Sequence, residues 1–239
     1  MPPRSEDAAK KREKVAVSAE NYILAVDLGT SGPKSALVSS RGEVIAHVFV
    51  QNDLYLSAGG GAEQDPEQWW ESIVESFKAL LAKRLVPAER IRAICCSSQW
   101  SGTVAVDENG GHLMNALIWL DSRGSREVAQ ITAGFPPIAG YAAAKLWRWI
   151  RLTGGAPSHS GKDSLAHILY IKNRHPEIYR QTWKFLEPKD YINLRLTGEC
   201  FAAFDSIALH WVTDNRDLSG VRYDPTLLRY SRLDPEKLP

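Results

Sequence analysis

Tyr22-Ile23-Leu24-Ala25-Val26-Asp27-Leu28-Gly29-Thr30-Ser31-Gly32-Pro33-Lys34 is the stretch whose reading decides the fold. A short apolar run bounded by glycines reads as a buried strand entering a tight turn. Ser35-Ala36-Leu37-Val38 resumes as a second strand, Arg41-Gly42 turns again, and Glu43 to Val50 forms a third. Three strands with short turns between them predict an antiparallel meander. The first turn also carries chemistry. Asp27 at a strand end can hold a hydrated Mg²⁺, because hard cations prefer oxygen ligands. Gly29 has no side chain, so a phosphate can approach the backbone there. The turn amides and the Thr30 and Ser31 hydroxyls can donate to phosphate oxygens, and Lys34 adds a positive charge. The plain alternative is a hairpin turn with a capping aspartate.

Working outward, Asp65-Pro66-Glu67 opens a helix: Asp65 caps, Pro66 fits the first helical position and Glu67 suits the positive end. Trp69, Trp70, Ile73, Val74, Phe77, Leu80 and Leu81 give it one apolar face. Ile91 to Cys96 reads as a fourth strand, buried on both sides by its pattern. Thr103 to Asp107 reads as a fifth, turned by Glu108 to Gly111, with Leu117 to Trp119 continuing after it. The second half is mainly helical. Ala142 to Thr153 carries Leu146, Trp149 and Ile150 on one face. Lys162 to His175 is a second helix, ended by Pro176, and Pro188 to Thr197 a third, stopped by Gly198. Gly59-Gly60-Gly61 reads as a flexible loop. The order predicts a mixed α/β domain with a central sheet flanked by helices.

Composition narrows the function. The 239 residues carry 29 Lys plus Arg against 28 Asp plus Glu, a net charge of +1, which gives no electrostatic reason to expect nucleic acid or an anionic membrane as partner. Cys95, Cys96 and Cys200 lack metal spacing and are odd in number, so free, mostly buried thiols in a reducing cytoplasm are expected. Residues 1–20 mix Arg4, Lys10, Lys11, Arg12 and Lys14 with Glu6, Asp7, Glu13 and Glu20. They read as a solvated tail with no signal-peptide core, and the ordered domain is expected over 21–239.

With these residues in view, the chain resembles the FGGY carbohydrate kinases, within the larger sugar kinase, Hsp70 and actin group. Asp27-Leu28-Gly29-Thr30-Ser31-Gly32-Pro33-Lys34 is similar to the family's first phosphate segment. Four further segments follow in the family's order. They are Glu63-Gln64-Asp65-Pro66-Glu67-Gln68-Trp69-Trp70, Ser98-Gln99-Trp100-Ser101-Gly102, Ile118-Trp119-Leu120-Asp121-Ser122-Arg123, and Pro188-Lys189-Asp190-Tyr191 with Arg195-Leu196-Thr197-Gly198-Glu199. The resemblance runs from about Tyr22 to about Asp217, and the xylulokinase-type pentulose kinases are the branch it points to.

The resemblance implies a ribonuclease H-like, actin-like ATPase fold and transfer of the ATP γ-phosphoryl to a sugar hydroxyl, with ATP and Mg²⁺ as cofactors. It places Asp27 on the metal, and Gly29, Thr30 and Ser31 near the transferred phosphate. Lys34 is either a phosphate contact or a solvated lysine. Gln99, Trp100 and Ser101 occupy the sugar-contact positions, where Trp100 either stacks on a sugar face or fills the core. Asp121 and Arg123 either hydrogen-bond sugar hydroxyls or pair across a turn, and Trp119 is expected in the core. Trp69/Trp70 and Trp147/Trp149 are read as packing, Lys189 and Asp190 as orienting a helix start, and the six histidines receive no role. The family's general base is an Asp in a Gly-Asp segment, and these 239 residues contain no Gly-Asp dipeptide. Asp205 falls too early to take that part, so the catalytic base is unassigned. The expectation is an incomplete N-terminal kinase domain, inactive alone, whose partners are a small carbohydrate and a missing C-terminal kinase half or a second copy. The alternative is a non-catalytic sugar-binding or regulatory module derived from a kinase.

Overall fold

The meander forms as predicted. In the computed structural model, which describes residues 20–239, β1 (Tyr22–Gly29), β2 (Gly32–Ser39) and β3 (Val44–Phe49) pair antiparallel in sequence order. The tail assigned to residues 1–20 lies outside the described residues except for Glu20, which pairs with Arg41. Alternation along β1 sends Tyr22, Leu24, Val26 and Leu28 into the core and leaves Ile23, Ala25 and Asp27 on the other face.

Gly59-Gly60-Gly61, read as a flexible loop, belongs to a hairpin. β4 (Tyr55–Ser57) pairs with β5 (Gly61–Gln64). The helix that follows, α1 (Pro66–Ala82), starts at the predicted cap, with the Glu67 amide donating to the Asp65 carboxylate at 2.8 Å. Trp69, Ile73, Phe77 and Leu80 pack against the buried face of β1 and β2, each burial contributing about 1.5–3 kcal/mol. The buried Ser35 and Ser76 hydroxyls, 2.6 Å apart, tie α1 to β2.

The fourth strand corrects the sequence reading. β6 (Ile91–Ser98) runs parallel to β1 at the margin of the four-stranded sheet, in the order β3-β2-β1-β6. Arg92 to Cys95 are exposed. An apolar run predicts burial only where neighbours exist on both faces and both edges, and among the described residues β6 lacks them on one edge and one face. The thiols follow: Cys95 is exposed and Cys96 and Cys200 half-buried, all free, so they are not mostly buried.

The fifth strand also leaves the central sheet. β7 (Val104–Val106) pairs instead with a later segment, Lys184–Leu186. β8 (Ala116–Leu117) joins β5. α2 (Ser125–Thr132) and a small hairpin, β9 (Pro137–Ile138) with β10 (Tyr141–Ala142), then lead into α3 (Ala143–Thr153). α3 stops at Gly154 as expected, but its buried residues are Trp149 and Leu152, while Ile150 and Trp147 face solvent. The Trp149 indole donates to the Trp211 carbonyl at 3.0 Å, which fixes the helix rotation.

α4 (Ser164–Arg174) is followed at once by α5 (Pro176–Gln181), so Pro176 starts a helix as well as ending one. β11 (Lys184–Leu186), the partner of β7, then leads to α6 (Pro188–Thr197), which has the predicted bounds and a left-handed Gly198 at its end. α7 (Phe204–Ile207), β12 (Thr213–Asp214), β13 (Arg222–Tyr223) and α8 (Pro225–Ser231) complete the described chain. Two cores share one wall. Val104, Val106 and Leu186 face the core under the meander, while Ala105 and Phe185 face the helical core built on Trp149, Leu165 and Ile168. Period-two alternation in the β7–β11 ribbon makes both possible. No helix among the described residues is long and apolar enough to cross a membrane.

Candidate functional site

The β1–β2 turn is held from below. Gly32 has φ +128°, and a Cβ there would lie 2.0 Å from the Val50 carbonyl oxygen, so only glycine fits where the chain passes beneath at 50–52. The Asn52 amide donates to the Ser31 carbonyl at 3.0 Å. Gly29 is different: a Cβ would meet only the Gly32 carbonyl oxygen, at 3.7 Å, so the space above it is open. Asp27 is exposed on the face opposite the core. The ladder puts Lys34 beside it on β2 and Ser97 beside it on β6. Carboxylate, ammonium and hydroxyl thus form one row across the open face.

The sequence-predicted phosphate and sugar segments meet at one side chain. The end of β6 is pinned when the Gln99 amide donates to the Leu28 carbonyl at 2.7 Å. The Thr30 hydroxyl then donates to Gln99 Oε1 at 3.3 Å and accepts from the Trp119 indole at 2.9 Å. Trp119 is therefore not a core residue: it is 43% exposed, because its indole N–H finds its partner in the hairpin at the surface. Trp100 is 66% exposed, which removes the core-filling alternative. The neighbouring Ser101 is buried at φ +61°, with its hydroxyl donating to the Lys162 carbonyl at 2.7 Å.

Gln64 is the hub that sequence reasoning gave no role. It is wholly buried. Its amide nitrogen donates to the Thr30 carbonyl at 2.8 Å and the Asp53 carbonyl at 3.0 Å. Its amide oxygen accepts from Gln99 at 2.7 Å and from the Trp69 indole at 3.3 Å. Its signal is the Glu63-Gln64-Asp65-Pro66 segment, one of those that carry the family resemblance, in which Gln64 itself receives no role.

Asp121 and Arg123 engage each other. The Asp121 carboxylate is fully buried and takes the Arg123 guanidinium at 2.6 Å, the Arg123 amide at 3.0 Å and the Ala62 amide at 2.9 Å. Arg123 also binds Glu63 at 2.7 Å and lies over the Tyr170 ring. Beneath them His167 bridges Thr103 and the Asp121 carbonyl, and burial pushes its imidazole down to about 4. Lys189 pairs with exposed Asp205 at 2.6 Å, and the ammonium holds that carboxyl below its usual range. A carboxylate so held is a poor proton acceptor. Asp190, in the first turn of α6, makes no capping hydrogen bond there; it accepts the Ala203 amide at 3.3 Å and so ties α6 to the segment before α7.

The family model for the FGGY family of carbohydrate kinases, N-terminal domain, matches residues 22–239. The chain is 30% identical over 212 residues to the xylulose kinase of Bacillus subtilis, covering 85% of this chain and 40% of that protein. It is 27% identical over 218 residues to the gluconokinase of the same organism, covering 91% and 39%. The crystal structure of a ligand-bound xylulose kinase from Lactobacillus acidophilus superposes with a TM-score of 0.74 at 25% identity, over 92% of this chain and 41% of that one. The chain spans about 40% of the length of the curated relatives it matches. With an actin-like ATPase fold and a match over nearly all of its described residues, this chain belongs to the FGGY family of carbohydrate kinases.

Proposed function

We propose that residues 21–239 form the sugar-binding and phosphate-hairpin side of an ATP-dependent kinase that phosphorylates a hydroxyl of a pentulose or related carbohydrate. The contact between Thr30 and Gln99 carries this reading, because it sets the hairpin for phosphate beside the strand end for sugar. Transfer between them needs little travel, and such chemistry is mostly positioning and charge neutralisation.

In this reading Gln99 and the exposed Trp100 meet the sugar, the ring offering its face to C–H groups. The Gly29 backbone and the Thr30 and Ser31 groups meet phosphate oxygens, with Lys34 supplying charge from the same face. Asp121 and Arg123 shape the sugar side through their pair with each other and Glu63, and need not touch ligand. MgATP, when bound, supplies the phosphoryl group. No cluster of three or more acidic, histidine or cysteine side chains among the described residues is arranged for a metal. A Mg²⁺ ion here would rest on Asp27, water and phosphate oxygens, which is how Mg²⁺ is usually held in phosphoryl transfer.

The partner of this chain is proposed to be the C-terminal half of a kinase, seated on the open face of the sheet. The apolar and small residues there, Ala93 and Cys95 with Ile23 and Ala25, support this, since a water-facing sheet surface is normally polar. The free thiols suit a reducing cytoplasm. The test is calorimetry of the 239-residue chain with ketoses and polyols, run beside an ADP-release assay. Saturable sugar binding without turnover is expected. Sugar-dependent ADP release by this chain alone would overturn the proposed need for a partner.

A further inference from the structure

We propose that Glu187 is a positioning residue which, as a neutral carboxylic acid, latches the Gln99–Gly102 loop against the start of α6. The inference rests on the reading of that loop as the sugar contact. Glu187 is 4% exposed and immediately precedes Pro188, the first residue of α6. Three groups close on one another there. The Gly102 amide donates to Glu187 Oε2 at 3.0 Å, Ser164 Oγ lies in hydrogen-bond contact with Glu187 Oε1, and the same Ser164 Oγ lies 3.3 Å from the Gly102 carbonyl oxygen.

The hydrogen count decides the protonation state. Ser164 has one hydroxyl hydrogen and two acceptors facing it. If Glu187 is ionised and Ser164 donates to it, the buried Gly102 carbonyl goes without; if Ser164 donates to the carbonyl, its oxygen and Glu187 Oε1 face each other with no hydrogen between them, although the carboxylate keeps the Gly102 and Ser101 amides. If Glu187 carries a proton, its O–H donates to Ser164 Oγ, Ser164 donates to the Gly102 carbonyl, and the Gly102 amide donates back to Glu187. The ring then closes with every member satisfied.

The electrostatics agree. Asp190, on the same helix, adds like charge, while Lys189 is taken by Asp205. The Gln99–Gly102 loop brings no titratable side chain. From the α4 side, Asp163 turns to the Ser158 amide and the Trp211 indole, and His167 turns to Thr103 and the Asp121 carbonyl. Burial pushes the Glu187 carboxyl up to about 8. Sterics close the loop from the other side: a Cβ on Gly102 would lie 2.5 Å from Pro188 Cγ, so the loop backbone lies directly on the helix start. Ser101, at φ +61°, is held between this latch and Lys162. Releasing Gly102 releases the turn that presents Trp100 and Gln99.

The test compares Glu187→Gln, which keeps the shape and donor of the neutral acid, with Glu187→Ala. Amide hydrogen exchange of residues 99–102, corrected for its intrinsic pH dependence, needs no ligand. The latch predicts protection in the wild type near neutral pH, falling at least about tenfold as pH rises through about 8. Glu187→Gln should stay protected on both sides of that pH, and Glu187→Ala should be open on both. A protonated-acid infrared band present in the wild type and absent from Glu187→Gln supports the same state. The proposal is overturned if Glu187→Gln opens the loop near neutral pH, or if the wild type and Glu187→Gln share one pH profile. Should Glu187→Ala fail to fold, these two arms still decide. Sugar titration separates the readings: a loop that responds as predicted in a chain binding no ketose keeps the latch and rejects the sugar assignment.

Discussion

Gln64 has neither charge nor exposure, yet it joins the β1–β2 hairpin, the residue after β6 and α1 through four hydrogen bonds. Gln64→Leu leaves the Thr30 and Asp53 carbonyls and the Gln99 and Trp69 donors without their partner. Since each buried group left unsatisfied costs about 1–3 kcal/mol and some will reach water, a loss of about 2–4 kcal/mol is expected in urea unfolding. A change below about 0.5 kcal/mol, the range of an ordinary surface substitution, would mean the hub does not carry the junction. Titratable residues set the pH dependence. Burial pushes His167 and His210 down to about 4, so below about 6.5 the unfolded chain takes up protons that the folded chain refuses. Stability therefore falls as pH drops from 6.5 toward 4. Glu187 has the opposite sign: with its folded value raised to about 8, the contribution is full below its unfolded value and is lost as pH rises through 8. These groups together predict a thermal-unfolding maximum near pH 6–7, and Glu187→Gln should flatten the alkaline side and steepen the acid side, because the Glu187 contribution is lost over the whole span from 4.5 to about 8. A maximum that does not move in that variant contradicts the assignment.

The elements divide by how local their signals are. α1 was legible from its Asp65 cap and Pro66, and α6 from Pro188 at its start and Gly198 at its stop, all signals within the segment itself. The meander was legible because its turns are short. Burial of β6 was not, because Ile91 to Cys96 has an interior-strand pattern while its exposure depends on what lies beside it. The β7–β11 ribbon pairs residues some 80 positions apart, and no local rule announces such a ladder. Trp119 was misplaced for a related reason: a tryptophan after an apolar pair reads as core until Thr30 claims its N–H. The site segments themselves were readable, but the side chains joining them, Gln64 and Glu187, lie just before helix starts, where no local signal gives them a role. The open strand carries its own prediction. In the folded chain Cys95 should react with a maleimide before Cys96 and Cys200, which are half-buried. Equal labelling of all three would show that β6 is covered.

At the scale of the molecule, near-zero net charge means any phosphate affinity must come locally from Lys34 and the turn amides, with Asp27 helping only through a bound cation and no broad basic field behind them. Two cores share the β7–β11 wall, and on the meander side of it the bidentate Arg195–Glu67 pair, at 2.6 and 3.0 Å, ties α6 to α1. The Gln99–Gly102 loop is thus held by a scaffold of interlocked elements, which is what a positioning site needs. The central claim is that Gln99 meets a carbohydrate beside the Thr30 hairpin. Calorimetric titration of the 239-residue chain and its Gln99→Ala variant with ketoses and polyols tests it most directly. The account predicts saturable binding of at least one such sugar by the wild type, weakened about tenfold or more in Gln99→Ala, as the loss of a ligand hydrogen bond implies. An absence of heat with every sugar, or equal binding by both proteins, would contradict it.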